Sequence, residues 1–452
     1  MPDPDLILDV RLDGFESPIG KLSRGGSGAV SFRFTDDYLI DPETVRLSLA
    51  LPPRVEPYGD VETRAFFGNL LQERDQALQH IREREGLAVD DIAGLLLHLG
   101  KDCAGAISVL PEGAPPVKVP GDLTSDYEPL SDERLREIVE SLHRRRQLPE
   151  NSQDPSPLAG VQSKIALTVL PDGRYAEPKP DTGAPTTHIL KVPDARNPRD
   201  ARHEQAALDL CRAAGFRTAD TRIVRIGNIE ALLITRYDRA TAADGRIVRI
   251  HQEDFAQALG LPPSLKYERN GREGRRFDVA GIARVLNTTS SPAEERLTFI
   301  RATLLDMLVG NADGHAKNFS LLHESGGRTR SAPRYDVLPT RLDPSLTDEF
   351  AYRIGGAERL DEVTEEEFEA FLGALGIGTA AARRRLRRDQ AQSIAGAIAP
   401  QLAEYDRDEL KPMADLIAAN MRMLLPALGC AVPAEAENRD AFVNRGGGWA
   451  MS

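Results

Sequence analysis

The chain has 452 residues, of which 41% are hydrophobic and 28% charged, and its formal net charge is −13. That length holds two or three domains with sizeable cores, and the acidic balance excludes an overall basic field that would draw the chain to nucleic acid or anionic membrane. No basic-plus-apolar leader opens it and no apolar run reaches about eighteen residues, which predicts a cytoplasmic protein without a membrane span.

In chain order, Leu6–Val10 predicts a strand, turn material follows around Gly14 and Gly20, and Ala29–Phe34 alternates with period two. From Ala65 the period becomes helical, through Phe66, Phe67, Leu70, Leu71 and Ile81. Asp90-Asp91 open a further helix through Leu95–Leu97, with acidic residues at its positive end. Ala106–Leu110 reads as a closing strand stopped by Pro111, so residues 1–112 form a small α+β subdomain. Residues 113–150 read as a Pro, Gly and Asp-rich connector with one helix, from Ser131 to about Arg146. Residues 151–238 carry a small-residue loop, Leu158–Lys164, then strands at Ile165–Leu170 and Thr187–Val192. A helix from Asp200 to Ala214 ends at Gly215, and strands follow at Thr221–Ile226 and Ala231–Thr235. His251-Gln252-Glu253-Asp254 reads as a helix start with acidic caps, and from there to residue 433 the pattern is almost wholly helical apart from loops at 310–340. Residues 434–452 read as a disordered tail. Strands first and helices second suit a two-lobed nucleotide site, with 151–238 as its N-lobe-like part and 239–433 as a helical C-lobe. Cys103, Cys211 and Cys430 are far apart and odd in number, so they read as buried apolar residues rather than ligands or disulfide partners. The basic run Arg383–Arg388 reads as a solvated helix face.

The densest chemistry lies in residues 310–318, Gly-Asn-Ala-Asp-Gly-His-Ala-Lys-Asn, followed by Tyr335-Asp336. Asp313 and Asn318 stand five apart on one polar loop, and Asp336 returns a second carboxylate. Protein kinases need such a set: one aspartate orients the attacking hydroxyl, while an Asn and another Asp hold magnesium on the phosphates. Hard Mg²⁺ prefers those oxygen donors to His or Cys. Taken alone, the spacing reads first as a solvated turn. A kinase also needs cations on the phosphates. Lys191 points with Ile189 to one face of its predicted strand, where a lysine is costly unless paired or wetted by phosphate; an edge-strand lysine is the alternative. Glu204 on the next helix is its candidate partner, or an ordinary exposed glutamate. In the 158–164 loop Gly160 permits close backbone approach to phosphates and Lys164 adds a charge, although the loop matches neither P-loop nor GxGxxG and reads equally as a turn. Thr235, Arg236, Tyr237 and Asp238 end the last strand, where a two-lobed kinase offers backbone groups to adenine and a carboxylate to ribose. A surface Asp238–Arg239 ion pair is the alternative. His315 and Lys317 either touch phosphate or position Asp313, and Tyr267 reads as a packed or loop-anchoring residue.

Ten segments in order resemble the HipA family, the serine/threonine kinase toxins of bacterial HipBA-type toxin–antitoxin systems. They are Phe66–Leu71, Leu99–Ala106, Leu158–Lys164, Thr187–Lys191, Arg236–Arg239, His251–Ala256, Lys266–Glu268, Gly310–Leu321, Tyr335-Asp336 and Arg353–Gly356. The loop Gly-Asn-x-Asp-x-His-x-Lys-Asn-Phe-Ser is specific to that family. The resemblance implies an α+β fold, with the small N-terminal subdomain followed by a two-lobed protein-kinase-like domain whose C-terminal lobe is mostly helical. It also implies that Asp313 is the catalytic aspartate, that Asn318 and Asp336 ligate Mg²⁺, that Lys191 contacts the ATP phosphates, and that Thr235 to Tyr237 form the adenine hinge. Gly160, Lys164, Asp238 and His315 complete the expected cofactor contacts. The implied substrate is an aminoacyl-tRNA synthetase, and the implied partner a HipB-like helix-turn-helix antitoxin, through which alone the chain meets DNA. One departure stands out. The family's loop carries a serine whose self-phosphorylation silences the kinase, and here that position is Pro157, with Ser156 one residue earlier and Ala159 where some relatives have a second serine. Ser156 or Ser163 would have to substitute, so conventional self-inactivation is not expected. The rival reading is a catalytically weak co-repressor module that binds the antitoxin; metal-dependent phosphate hydrolysis would need more clustered carboxylates and histidines.

Overall fold

A computed structural model of the chain describes residues 5–40, 45–71, 75–149, 163–405 and 409–439. The fold is mixed α+β, and contacts divide it into two compact units. The first comprises 1–201, 220–263 and 320–329, the second 202–219, 264–319 and 330–452.

The first unit begins with a four-stranded antiparallel sheet in the order β3-β2-β1-β4, from β1 (Leu6–Leu12), β2 (Gly20–Arg24), β3 (Val30–Phe34) and β4 (Ile107–Pro111). Strict alternation in β2 and β3 turns Leu22, Phe32 and Phe34 inward, where Phe32 meets Phe34 edge-on at 4.8 Å and Phe67 at 5.2 Å. A six-stranded sheet follows, ordered β5-β7-β6-β8-β10-β9. Its strands are β5 (Tyr127–Pro129), β6 (Lys164–Val169), β7 (Tyr175–Pro178), β8 (His188–Lys191), β9 (Thr221–Ile226) and β10 (Ile229–Thr235). The helix Asp132–Arg145, N-capped by the Ser131 hydroxyl, lays Leu135, Ile138, Val139 and Leu142 in one core with Ile165, Leu167, Leu190 and Leu233. Register puts Ile165 opposite Leu190 and Leu190 opposite Leu233. The alternate residues Lys164, Ala166, Ile189, Lys191 and Leu232 therefore share the other face of the sheet. Lys191 is thus on a central strand, not an edge.

A short ribbon, β11 (Arg239–Thr241) with β12 (Ile247–Arg249), leads to β13 (His251–Asp254), which pairs with β14 (Ser320–His323). The expectation of a helix from His251 is corrected here. His251 and Glu253 alternate inward as a strand, and only Asp254 caps a helix, the single turn Phe255–Ala258 with a full capping box.

In the second unit the helix Pro292–Val309 packs on Ala380–Ile398 and Lys411–Ala427. Two further expectations change. Ala434–Glu437 forms a short helix with Ala436 buried, where the disordered tail was expected to begin; residues 440–452 lie outside the described ones. Within the basic run, Arg384, Arg385 and Arg388 are exposed, but Arg387 is buried and binds Glu365 (2.7 Å) and Glu369 (2.8 Å) on the helix Glu365–Ala374. Among the described residues no helix is long and apolar enough to cross a membrane.

Candidate active site

The helix Pro292–Val309 ends on Gly310, whose left-handed backbone (φ +82°) lets its N–H return to Asp306 O at 3.0 Å. The turn is held from beneath by the buried Asp306. Asp306 O also accepts the Asn311 N–H at 2.8 Å, and Oδ1 accepts Asn311 Nδ2 at 3.1 Å and the Arg334 guanidinium at 2.5 Å. Burial pushes the Asp306 carboxyl above its usual range, and Arg334 and Asn311 oppose that. Asn311 Oδ1 then receives the Asp313 N–H at 3.1 Å, so a buried ion pair is wired through one amide to the loop aspartate.

The loop next closes on itself. Asp313 O accepts the His315 N–H at 2.7 Å and Asn318 Nδ2 at 2.8 Å. This brings Asp313 and Asn318 together and fixes the Asn318 amide: with its NH₂ turned to Asp313, its Oδ1 accepts no hydrogen bond from any described residue and is presented as an oxygen donor. The Tyr335 hydroxyl donates to Lys317 O at 2.7 Å, which docks the 335–336 segment on the same loop. Asp336 follows with φ +57°, in the left-handed region where a non-glycine residue is strained. One amide oxygen and one carboxylate beside substrate phosphates form a donor set that fits Mg²⁺. Among the described residues no group of three or more His, Cys, Asp or Glu could hold a metal by itself. His315 is buried and packs edge-on against Tyr267, 5.2 Å between ring centres, and the Tyr267 hydroxyl donates to Asp313 Oδ1 at 2.5 Å. The pattern Lys-Tyr-Glu had suggested an anchor for Tyr267 but no particular partner.

The first unit carries the other expected residues. Lys191 is 8% exposed and directly opposite Lys164 in the ladder. The two lysines therefore project from the same face of the sheet. Half-buried Ala166 and Ile189 beside them offer apolar surface. Gly160, with Ser156 and Pro157, lies outside the described residues; Ser163 is described, and its hydroxyl is buried, out of reach of modification. Glu204, in the second unit, is buried rather than an ordinary exposed glutamate.

The hinge differs most from expectation. The N–H groups of Thr235 and Arg236 are already engaged, with Asp220 O at 2.8 Å and Thr187 O at 3.0 Å. The buried Arg236 guanidinium binds Asp238 at 2.9 and 3.0 Å and the Thr186 hydroxyl at 3.1 Å. Asp238, 3% exposed, also accepts the Gly105 N–H at 2.9 Å and pairs with Arg239. Its carboxyl lies well below the usual range because Arg236 and Arg239 outweigh the burial that opposes ionisation. Asp238 is therefore no surface ion pair, and its carboxylate is engaged inside the protein; it and Arg236 brace the end of β10 from within. Thr235 is exposed and Tyr237 half-buried, its hydroxyl donating to Gln252 Oε1 at 2.6 Å.

Comparison with known proteins bears on both units. A family model described as the HipA-like C-terminal domain matches residues 156–404, and one described as the HipA N-terminal domain matches residues 8–110. Y4mE of Sinorhizobium fredii, a candidate kinase by name, is 35% identical over 423 residues, which are 92% of this chain and 98% of that protein. The serine/threonine-protein kinase toxin HipA of Shewanella oneidensis is 28% identical over 69% of this chain and 71% of its own. A solved complex of Shewanella oneidensis MR-1 HipA with HipB and operator DNA superposes with a TM-score of 0.74 at 24% identity, covering 93% of this chain and 96% of the other. Matched along both of its halves, and carrying the Asp313–Asn318 loop in a folded, hydrogen-bonded form, the chain belongs to the HipA family of serine/threonine protein kinases.

Proposed function

We propose that this kinase is the toxin of a type II toxin–antitoxin pair, which transfers the γ-phosphoryl group of Mg·ATP to a serine or threonine hydroxyl of a protein. An aminoacyl-tRNA synthetase is the expected target, arrested translation the consequence, and a small helix-turn-helix antitoxin the expected partner, by which the chain would reach operator DNA. The observation that carries the reading is the closed 313–318 loop, which orients an aspartate and an oxygen-presenting asparagine together. In that reading Asp313 aligns the acceptor hydroxyl with the γ-phosphorus. Asn318 and Asp336 would hold Mg²⁺, whose charge, when bound, offsets that developing on the phosphoryl oxygens. Lys191 and Lys164 take phosphate oxygens from the sheet, while Ala166 and Ile189 offer the apolar surface a base requires. Adenine contacts at the hinge fall to Tyr237 or to backbone carbonyls, since two of the amides are engaged already.

Purified chain mixed with γ-labelled MgATP and a dephosphorylated bacterial lysate tests this directly. Transfer to a discrete band is the expected result. Asp313→Ala should abolish at least two orders of magnitude of turnover, on the scale of a lost acid–base group, while leaving MgATP binding intact. Asp336→Ala should weaken the metal-dependent part of that binding. Full transfer by Asp313→Ala would remove Asp313 from the catalytic role, and no transfer by a wild type that binds antitoxin tightly would favour the co-repressor module instead.

A further inference from the structure

We propose that Tyr267 is a positioning residue for phosphotransfer: its hydroxyl holds one oxygen of Asp313 and leaves the other to the acceptor hydroxyl. This rests on the kinase reading above and deepens it.

The contact is built from both sides. Before Tyr267, the carbonyl of Lys266 accepts the Ala316 N–H of the loop at 3.0 Å. After it, the Glu268 N–H donates to Ala351 O at 2.8 Å, and Glu268 Oε2 accepts the Arg353 N–H at 2.8 Å. The phenol ring is gripped as well. The Arg269 guanidinium lies 4.1 Å over one face, and His315 meets the ring edge-on. A ring so held has little freedom, and its hydroxyl reaches Asp313 Oδ1 at 2.5 Å. Asp313 Oδ2 accepts no hydrogen bond from any described residue.

The asymmetry matters chemically. A carboxylate that orients a hydroxyl for in-line attack needs one lone-pair direction aimed at that hydroxyl and no freedom to rotate away. Backbone bonds from Asn311, His315 and Asn318 fix the main chain of Asp313 but not its χ2 torsion. Among the described residues only the Tyr267 hydroxyl fixes that torsion. It donates to the carboxylate, so the oxygen it occupies is removed from competition for the acceptor proton.

The test compares wild type, Tyr267→Phe and Tyr267→Leu as full-length chains, using γ-labelled MgATP and the lysate acceptor that wild type labels. Phe keeps the ring and its packing and loses only the hydroxyl. The expected result is a fall in kcat of roughly 10- to 100-fold with KM for MgATP unchanged and no change in thermal midpoint. In an Asp313→Asn background the same substitution should have no further effect, because the two residues act as one unit. If Tyr267→Phe works like wild type and only Tyr267→Leu is defective, the ring is merely structural and the proposal is overturned. It is equally overturned if the loss lies in KM or thermal midpoint instead of kcat. If wild type labels nothing, the kinase reading itself has failed and takes this inference with it, an outcome distinct from the other two.

Discussion

Asp238 has both of its oxygens engaged inside the protein, by Arg236, Arg239 and the Gly105 N–H. A second buried carboxylate, Asp102, lies within reach of Lys118, Arg239 and Arg249. Burial opposes the charge of Asp102, yet Lys118, Arg239, Arg236 and Arg249 hold its carboxyl down to about 2. Removing one member of such a network strands the remaining charges out of water, a change that costs about 3–5 kcal/mol. Asp238→Asn should therefore lower the denaturant midpoint sharply, while the fraction that stays folded binds MgATP with unchanged affinity by calorimetry. Loss of affinity without loss of stability would restore the ribose role. The local sequence Arg-Tyr-Asp-Arg disclosed that a charged pair stood at the end of a strand. It did not disclose burial, because the groups that complete the network come from residues 102, 105, 118 and 249. The juxtaposition of Asp313 and Asn318 was more legible, since the bonds that join them through the Asp313 main chain lie within the same nine residues. Tyr267 was not, its partner being 46 positions away.

Elements with a strong local period were readable almost to their ends: β9 spans Thr221–Ile226, and the helix before the loop stops at Val309. Gly310 shows why that stop is abrupt. Besides its positive φ, a Cβ at this position would lie 2.9 Å from Leu416 Cδ2 and 3.2 Å from Asn420 Nδ2, so the turn is pressed against the helix Lys411–Ala427. Asn420 also grips the same turn, donating to Leu308 O at 3.0 Å and accepting from Arg341 at 2.7 Å. Gly310→Ala combines backbone strain with a clash, and should destabilise the protein by roughly 1–3 kcal/mol. Its activity should fall with the loss of the loop geometry, measured as a lowered urea midpoint alongside reduced transfer at a temperature where the variant is folded. An unchanged midpoint would mean that the turn can be made without the left-handed residue. His251–Asp254 was misread as a helix start for the opposite reason. Four residues with an acidic end fit a cap, and the strand pairing that decides the matter is with Ser320–His323, far beyond any local window.

On the scale of the whole chain, the first unit is closed by side chains more than two hundred positions apart. Glu253 on β13 accepts the Ser48 hydroxyl at 2.6 Å and the Leu49 N–H at 2.9 Å, and meets His323 Nε2 at 2.9 Å. His251 stacks on His323 at 5.4 Å and donates from Nε2 to Leu47 O at 2.7 Å. Burial, with His323 and Arg249 nearby, holds His251 neutral and pulls it down to about 3, although the bond to Leu47 works against that. The sign follows from linkage. The unfolded chain binds a proton on this imidazole below its ordinary value of about 6.5, whereas the folded chain binds none until about 3. Stability is therefore complete above that ordinary value and declines as pH falls between the two. From about pH 7 to about pH 5 the loss should be roughly 2 kcal/mol. His188, pulled down to about 4 by burial and Arg222, adds to the same slope, with a share reduced by its contact with solvent. Asp102, held ionised down to about 2, contributes only at lower pH. His251→Gln keeps a donor for Leu47 O and removes the titration, so it should remove more than half of the decline in unfolding free energy between those two pH values. An unaltered slope in the variant, measured by urea unfolding at both, would show that His251 is not the group that senses the proton.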